Sequence, residues 1–277
     1  MKIRTKKTVS SIVAYTLLIL VGISFALPTL WMILSAFDPL AIPTFTKMEY
    51  FTLDNFKAIL ADQGYVRGFA NSLIYSCSVV AIVVVCSIFG AYPLSRYGFR
   101  KAENISLSLL FLASVPTNAL IIPVYKLFST LHILNHPISL ILFQATCSLP
   151  HSIWMMKNFF DSIPKDLEEA AWTDGASSIQ SILHIIVPLM LPGIITIAIR
   201  AFISSWSSFM VPYILLNNMD TLPASVVLYN LFDDGGQVNY GHLAAYSMLY
   251  MAPVVALYTI SQNWMSKGYS MGGANKG

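Results

Sequence analysis

The sequence is poor in charge. Only 10% of its 277 residues are Asp, Glu, Lys or Arg, against ~25% in soluble domains. With 56% hydrophobic residues and a mean hydropathy of +0.66, this deficit excludes an ordinary soluble domain and points to a polytopic membrane protein. The net charge of +3 gives no support to nucleic-acid binding. The three cysteines, Cys77, Cys86 and Cys147, lie in apolar runs without CxxC or Cys/His spacing. They read as small core residues, not as a metal site or disulfide framework. There is no Gly-x-x-x-x-Gly-Lys-Ser/Thr phosphate loop, so nucleotide does not bind by that route. No Ser/His/Asp or HExxH arrangement suggests catalysis. No Asp or Glu falls within an apolar span, which removes the proton or sodium site that secondary carriers often use. No internal repeat or soluble insert interrupts the chain. It reads as a single membrane domain over 1–277, non-catalytic, with no cofactor or metal of its own and its energy supplied by another subunit.

What is present is a series of apolar runs. Six approach the roughly 20 residues a bilayer requires: 12–37, 69–92, 105–128, 138–158, 189–212 and 242–265. The first follows a basic start and is too long for a signal-peptide core, so it is expected to stay as a span. The expected fold class is an all-α membrane protein with six transmembrane helices. Of the 16 Lys and Arg residues, the cytoplasmic side would hold Lys2, Arg4, Lys6, Lys7, Arg96, Arg100, Lys101, Lys157, Lys165, Lys267 and Lys276. The outside would hold Lys47, Lys57, Arg67 and Lys126. That bias puts both termini in the cytoplasm. Phe56, Ile59 and Leu60 predict a short amphipathic helix on the outer side. Pro116 and Pro123 predict a kink in the third span. The turn-rich outer loop 213–241 is either a connector or a contact for an external partner.

Between the fourth and fifth runs lies a polar stretch, 161–188, holding Asp161, Asp166, Glu168, Glu169 and Asp174. It reads as two short helices. Pro164 suits a first helical position, early acids suit the helix dipole, and Gly175 suits a left-handed end. Ser177 and Gln180 have capping-box spacing, and Pro188 is expected to end the second helix. By charge alone this would be a solvated loop.

Two polar stripes mark the spans themselves. In the fifth, Gly193, Thr196, Arg200, Ser204, Ser207 and Ser208 share a helical face. Arg200 has no acidic partner in any span, so it is expected to meet a backbone carbonyl, another subunit or a substrate. The fourth carries Gln144, Ser148 and His151, which suit helix packing and a substrate path equally. His151 has no second ligand at metal spacing.

Glu169-Ala170-Ala171, then Gly175, Ile185 and Pro188, resembles the EAA coupling loop of ABC-importer permeases, with Val187 where Leu is usual. Pro116, Ile122-Pro123-Val124-Tyr125, Asp174-Gly175-Ala176-Ser177, Trp206 and the glycine-rich tail resemble the carbohydrate-uptake, maltose-permease-like branch. Ser207 replaces an Asn common there. The resemblance implies a type I importer permease in a bacterial cytoplasmic (inner) membrane. It implies a second, different permease, two ATPase subunits carrying ATP and Mg, and an extracytoplasmic binding protein for a sugar. Glu168, Glu169, Ala170, Ala171, Asp174 and Gly175 would meet the ATPase, as would Gly272, Gly273 and Lys276 in the tail, about 266–277. Arg200, Ser204, Trp206, Ser207, Ser208, Gln144 and His151 would line the substrate path. Arg200 would suit an acidic saccharide. A permease for oligopeptides or polyamines, or a carrier or channel, are the competing readings.

Overall fold

A computed structural model describes residues 2–45, 48, 50–98, 100–233 and 238–273, with side chains placed from residue 13 to 261 apart from 233. The described residues are helical, with no strand among them. By contacts the chain divides into two compact units, Met1–Val66 with Leu228–Ala252, and Arg67–Val227 with Pro253–Gly277.

In the first unit, α1 (Lys2–Ala36) exposes every residue of 13–30, as an apolar helix made to face lipid or another protein does. α2 (Asp54–Ala61) is the expected short amphipathic helix. Its buried side, however, is Asn55 and Ile59, while Leu60 is exposed. Asn55 Nδ2 donates to the carbonyls of Ala36 and Asp38 at 3.1 and 2.9 Å, satisfying the chain where α1 ends. Phe37 stacks on Phe51 at 4.3 Å. Within α13 (Tyr240–Gly273), Tyr246 is fully buried and meets the Tyr65 ring edge-on, which is core packing. α12 (Ala224–Asp233) precedes it.

The second unit holds α3 (Gln63–Arg96) from Arg67 onward, α4 (Ala102–Ala113), α5 (Thr117–Thr130), α6 (Pro137–Asp161), α7 (Asp166–Thr173) and α8 (Ser178–Ser181). A π turn at Ile182–Ile186 leads into α9 (Val187–Leu189), then α10 (Leu191–Trp206) and α11 (Met210–Leu215). Four unbroken helices among the described residues are long and apolar enough to cross a membrane: Val13–Ala36, Gln63–Arg96, Pro137–Asp161 and Tyr240–Ser261. Two bent pairs, α4 with α5 at 88° and Ser178–Leu189 with α10 at 80°, bring the number to six if each counts as one span.

Those breaks correct the sequence reading. Around Pro116 the third run does not merely kink; it turns through 88°, with Pro116 as the extended residue before α5. Pro123 continues inside α5. The fifth run stops at Trp206, and α11 follows as a separate helix. Pro188 falls one residue before its helix ends at Leu189, where the chain turns by 80° into α10. Proline's ring collides with the carbonyl four residues back, here that of His184, and the chain widens into a π turn instead.

Two apolar clusters hold the second unit. One joins Val79 and Val83 of α3 to Met156 and Phe160 of α6 and to Ile186, Ile197 and Ala201. The other joins Tyr75, Phe128, Leu140 and Phe143 to Leu215, Leu216 and Leu222. Gly193 lets α10 approach α6 closely: a Cβ there would stand 2.5 Å from Cγ of Phe159.

Candidate functional site

The polar stretch after α6 is built by local rules. Asp166, Glu168 and Glu169 occupy the first turn of α7, where the helix dipole favours negative charge. Pro164 lies ahead of the helix, not at its first position; Lys165 is the N-cap. At the other end the Ala176 N–H donates to the Ala171 carbonyl at 2.9 Å and the Gly175 N–H to the Trp172 carbonyl at 3.0 Å. That pair is a Schellman closure, and Gly175 takes the φ of +90° it requires. Ser177 and Gln180 then form a complete capping box, with Gln180 Oε1 accepting from the Ser177 N–H at 2.8 Å and Ser177 Oγ accepting from the Gln180 N–H at 3.3 Å.

The helix so formed has two unlike sides. Leu167, Glu169, Ala170, Trp172, Asp174 and Gly175 are exposed, with Leu167 and Trp172 adding apolar surface. Glu168 and Ala171, expected on the outer face, point inward and are buried. Glu168 forms an ion pair with Arg96, at the end of α3, in which both side chains are at most 4% exposed. The Tyr92 hydroxyl donates to its other oxygen at 3.0 Å. The Arg96 guanidinium lies 5.8 Å from the Phe160 ring centre, and its Nη2 is buried without a hydrogen-bond partner among the described residues. Next to this clamp, Ser95 donates to Asp161 at 2.5 Å and Lys157 pairs with the same carboxylate at 2.6 Å. The ends of α3 and α6 and the inner side of α7 are thus joined by charge. Sequence reasoning passed over Tyr92 and Arg96 in this role. Their four-residue spacing puts them on one face of α3, but nothing local announces a partner on α7.

The opposite end of the second unit is tied down by polar bonds. Arg67 pairs with Asp220. Asn71 Nδ2 donates to the carbonyls of Asp220 and Leu222, the Tyr75 hydroxyl to that of Thr221 at 2.9 Å, and the Ala224 N–H to Ser72 Oγ at 2.8 Å. Asn135, at φ +60°, accepts from the Asn217 and Asn218 N–H groups. The early part of the turn-rich loop is therefore pinned to α3 and to the turn before α6.

The expected path residues separate into two groups. Gln144 is buried and accepts from Ser205 Oγ at 2.6 Å, and Ser205 meets Ser76 Oγ at 3.3 Å. That is packing glue. Trp206 is also buried, stacked on Phe202 at 5.5 Å, so it lines no open surface. Gly193 and Thr196 are buried as well. Arg200, Ser204 and Ser207 are exposed, and Ser208 and His151 half-buried. Ser207 Oγ donates to the Ile203 carbonyl. In the tail, Gly272 and Gly273 end α13, and Lys276 lies outside the described residues.

Long helices with broken spans and a short helix clamped at one end suit the membrane subunit of a transport machine. The chain belongs to the family of binding-protein-dependent transport system inner membrane components, whose profile matches residues 8–270. It is 30% identical over 277 residues to the inner membrane ABC transporter permease protein YcjP of Escherichia coli (strain K12), covering 97% of this chain and 98% of that one. It is 29% identical to the galactooligosaccharides transport system permease protein GanQ of Bacillus subtilis (strain 168), covering 98% and 97%. The trehalose/maltose transport system permease protein MalG of Thermococcus litoralis is 30% identical, at 92% and 93% coverage. The fold matches a crystal structure of a bacterial ABC transporter involved in the import of the acidic polysaccharide alginate, with a TM-score of 0.79, 21% identity and coverage of 92% and 96%.

Proposed function

We propose that this chain is one of two different permease subunits in an ATP-driven importer that carries a saccharide across a bacterial inner membrane. Two ATPase subunits would hold ATP and Mg and do the hydrolysis. An extracytoplasmic binding protein would deliver the sugar. The saccharide assignment draws on the relatives named for galactooligosaccharides and for trehalose and maltose.

One observation carries the reading. α7 offers an outer face of Leu167, Glu169, Ala170 and Trp172 while its inner face is fixed by the Glu168–Arg96 pair. Small Ala170 lets another protein approach closely, Leu167 and Trp172 supply apolar area, and Glu169 meets basic groups or N–H donors. A load applied to that face passes through the clamp into α3, the rigid-body kind of switching expected of an importer.

Reconstitution of the complete complex tests it. Uptake should require ATP, the binding protein and one of a panel of saccharides. Gly175→Val should leave the chain inserted and uncouple hydrolysis from uptake, because a β-branched residue takes φ > 0 poorly. Glu169→Lys with Ala170→Asp should do the same by spoiling the face. Uptake without ATP would make the protein a carrier. Normal transport in both variants would remove α7 as the coupling element.

A further inference from the structure

α6 and α10 lie side by side, and two contacts set their register. Gly193 rests against the Phe159 ring, and Ser205 Oγ donates to Gln144 Oε1 at 2.6 Å. These contacts make the helices antiparallel. On α6, His151 stands midway between Gln144 and Phe159. On α10, Arg200 stands between Gly193 and Ser205. The two are therefore at one depth, roughly 10 Å along the helix from the Gly193 contact at 1.5 Å per residue, and His151 lies within electrostatic range of Arg200. Arg200 is exposed and His151 half-buried, with Ser204 exposed one turn further on.

Among the described residues no acid pairs with Arg200. Neither α6 before Asp161 nor α10 contains an acid. Asp161 is engaged by Ser95 and Lys157, and Glu168 by Arg96 and Tyr92. Among the described residues Arg200 makes no ion pair or hydrogen bond. An unpaired guanidinium at membrane depth persists where it meets water, protein or cargo. A planar fork of donors with an imidazole at the same depth fits an oxyanion, which the guanidinium holds in bidentate fashion.

We infer that Arg200, with His151 at the same depth, is an anion-recognition point on the transport path, and that the saccharide carried bears a carboxylate. This rests on the saccharide-importer reading and adds the charge of the cargo.

The test uses the complete complex in vesicles with its binding protein, screened against matched uronic-acid and neutral oligosaccharides. The binding protein should take the uronic-acid member, and the vesicles should import it. Arg200→Met should lower that uptake about tenfold or more, as expected for a lost charge-assisted bond, in complexes counted as assembled. Arg200→Lys should recover only part, because an ammonium lacks the fork. A binding protein that takes only neutral saccharides overturns this inference and leaves the importer reading standing; one that takes no saccharide overturns both. Assembled Arg200→Met complexes importing normally take the arginine off the path. If Arg200→Met fails to assemble, Arg200→Lys decides: full uptake assigns the arginine to the partner permease and overturns the inference, and reduced uptake in assembled complexes upholds it.

Discussion

Replacing Glu168 by Ala should release α7 from α3. The substitution leaves the Arg96 guanidinium buried with neither its Nε partner nor any for Nη2, and leaves the Tyr92 hydroxyl without its acceptor. Breaking one side of a buried ion pair costs about 3–5 kcal/mol, and at 1.4 kcal/mol per tenfold this is a hundredfold or more in the docking equilibrium of the helix. Hydrogen exchange at the α7 amides, in the complex held in lipid, reads that equilibrium directly. Exchange should accelerate by about that factor for Glu168→Ala, and similarly for Arg96→Met. The double variant Arg96→Met with Glu168→Leu should recover most of the protection, because an apolar pair of similar volume escapes the desolvation that the charged pair endures. Transport should follow: the single variants hydrolyse ATP with poor uptake, and the double variant regains part of it. Additivity of the two single effects within about 0.5 kcal/mol would mean that the residues act independently, and the clamp would then not hold the helix.

Gly193→Ala should destabilise the packing of α10 on α6 by about 1–3 kcal/mol, since the added methyl meets the Phe159 ring; combination with Phe159→Ala should relieve the overlap, and thermal stability of the purified complex checks both. At the opposite end, Asn71→Leu should loosen 219–223 more than Arg67→Met does. The exposed Arg67–Asp220 pair is worth at most about 1 kcal/mol, whereas Asn71 satisfies two carbonyls; hydrogen exchange of that loop separates them. Ser177→Ala should cost about 1 kcal/mol through loss of the capping box, with faster exchange at 178–181.

What the sequence disclosed followed from range. The spans were legible because hydrocarbon thickness demands long apolar runs. The end of α7 and the start of α8 were legible because Gly175 and the Ser177–Gln180 pair act on their own neighbours. Glu168 was misplaced because an eight-residue helix presents a residue on every side, and its partner is remote in the chain. Gln144 looked like a path residue for a related reason. Periodicity places side chains on a face, but only the neighbouring helix decides whether that face is covered. Arg200 stayed exposed while Gly193 and Thr196, on the same stripe, were buried. The 88° break at Pro116 exceeded the expected kink because the chain also loses helix through 114–116.

The π turn at Ile182–Ile186 has a consequence for how such chains can change length. A π turn is an α-helix holding one residue more than its neighbours, with its hydrogen bonding intact. A lineage that gained or lost a single residue there would keep the helix up to Leu189, yet Val187–Leu189 would rotate by about 100° about its axis and carry the 80° bend into α10 round with them. Gly193 would leave Phe159, and Arg200 would leave the level of His151. The segment therefore tolerates insertion as a fold and forbids it as a register.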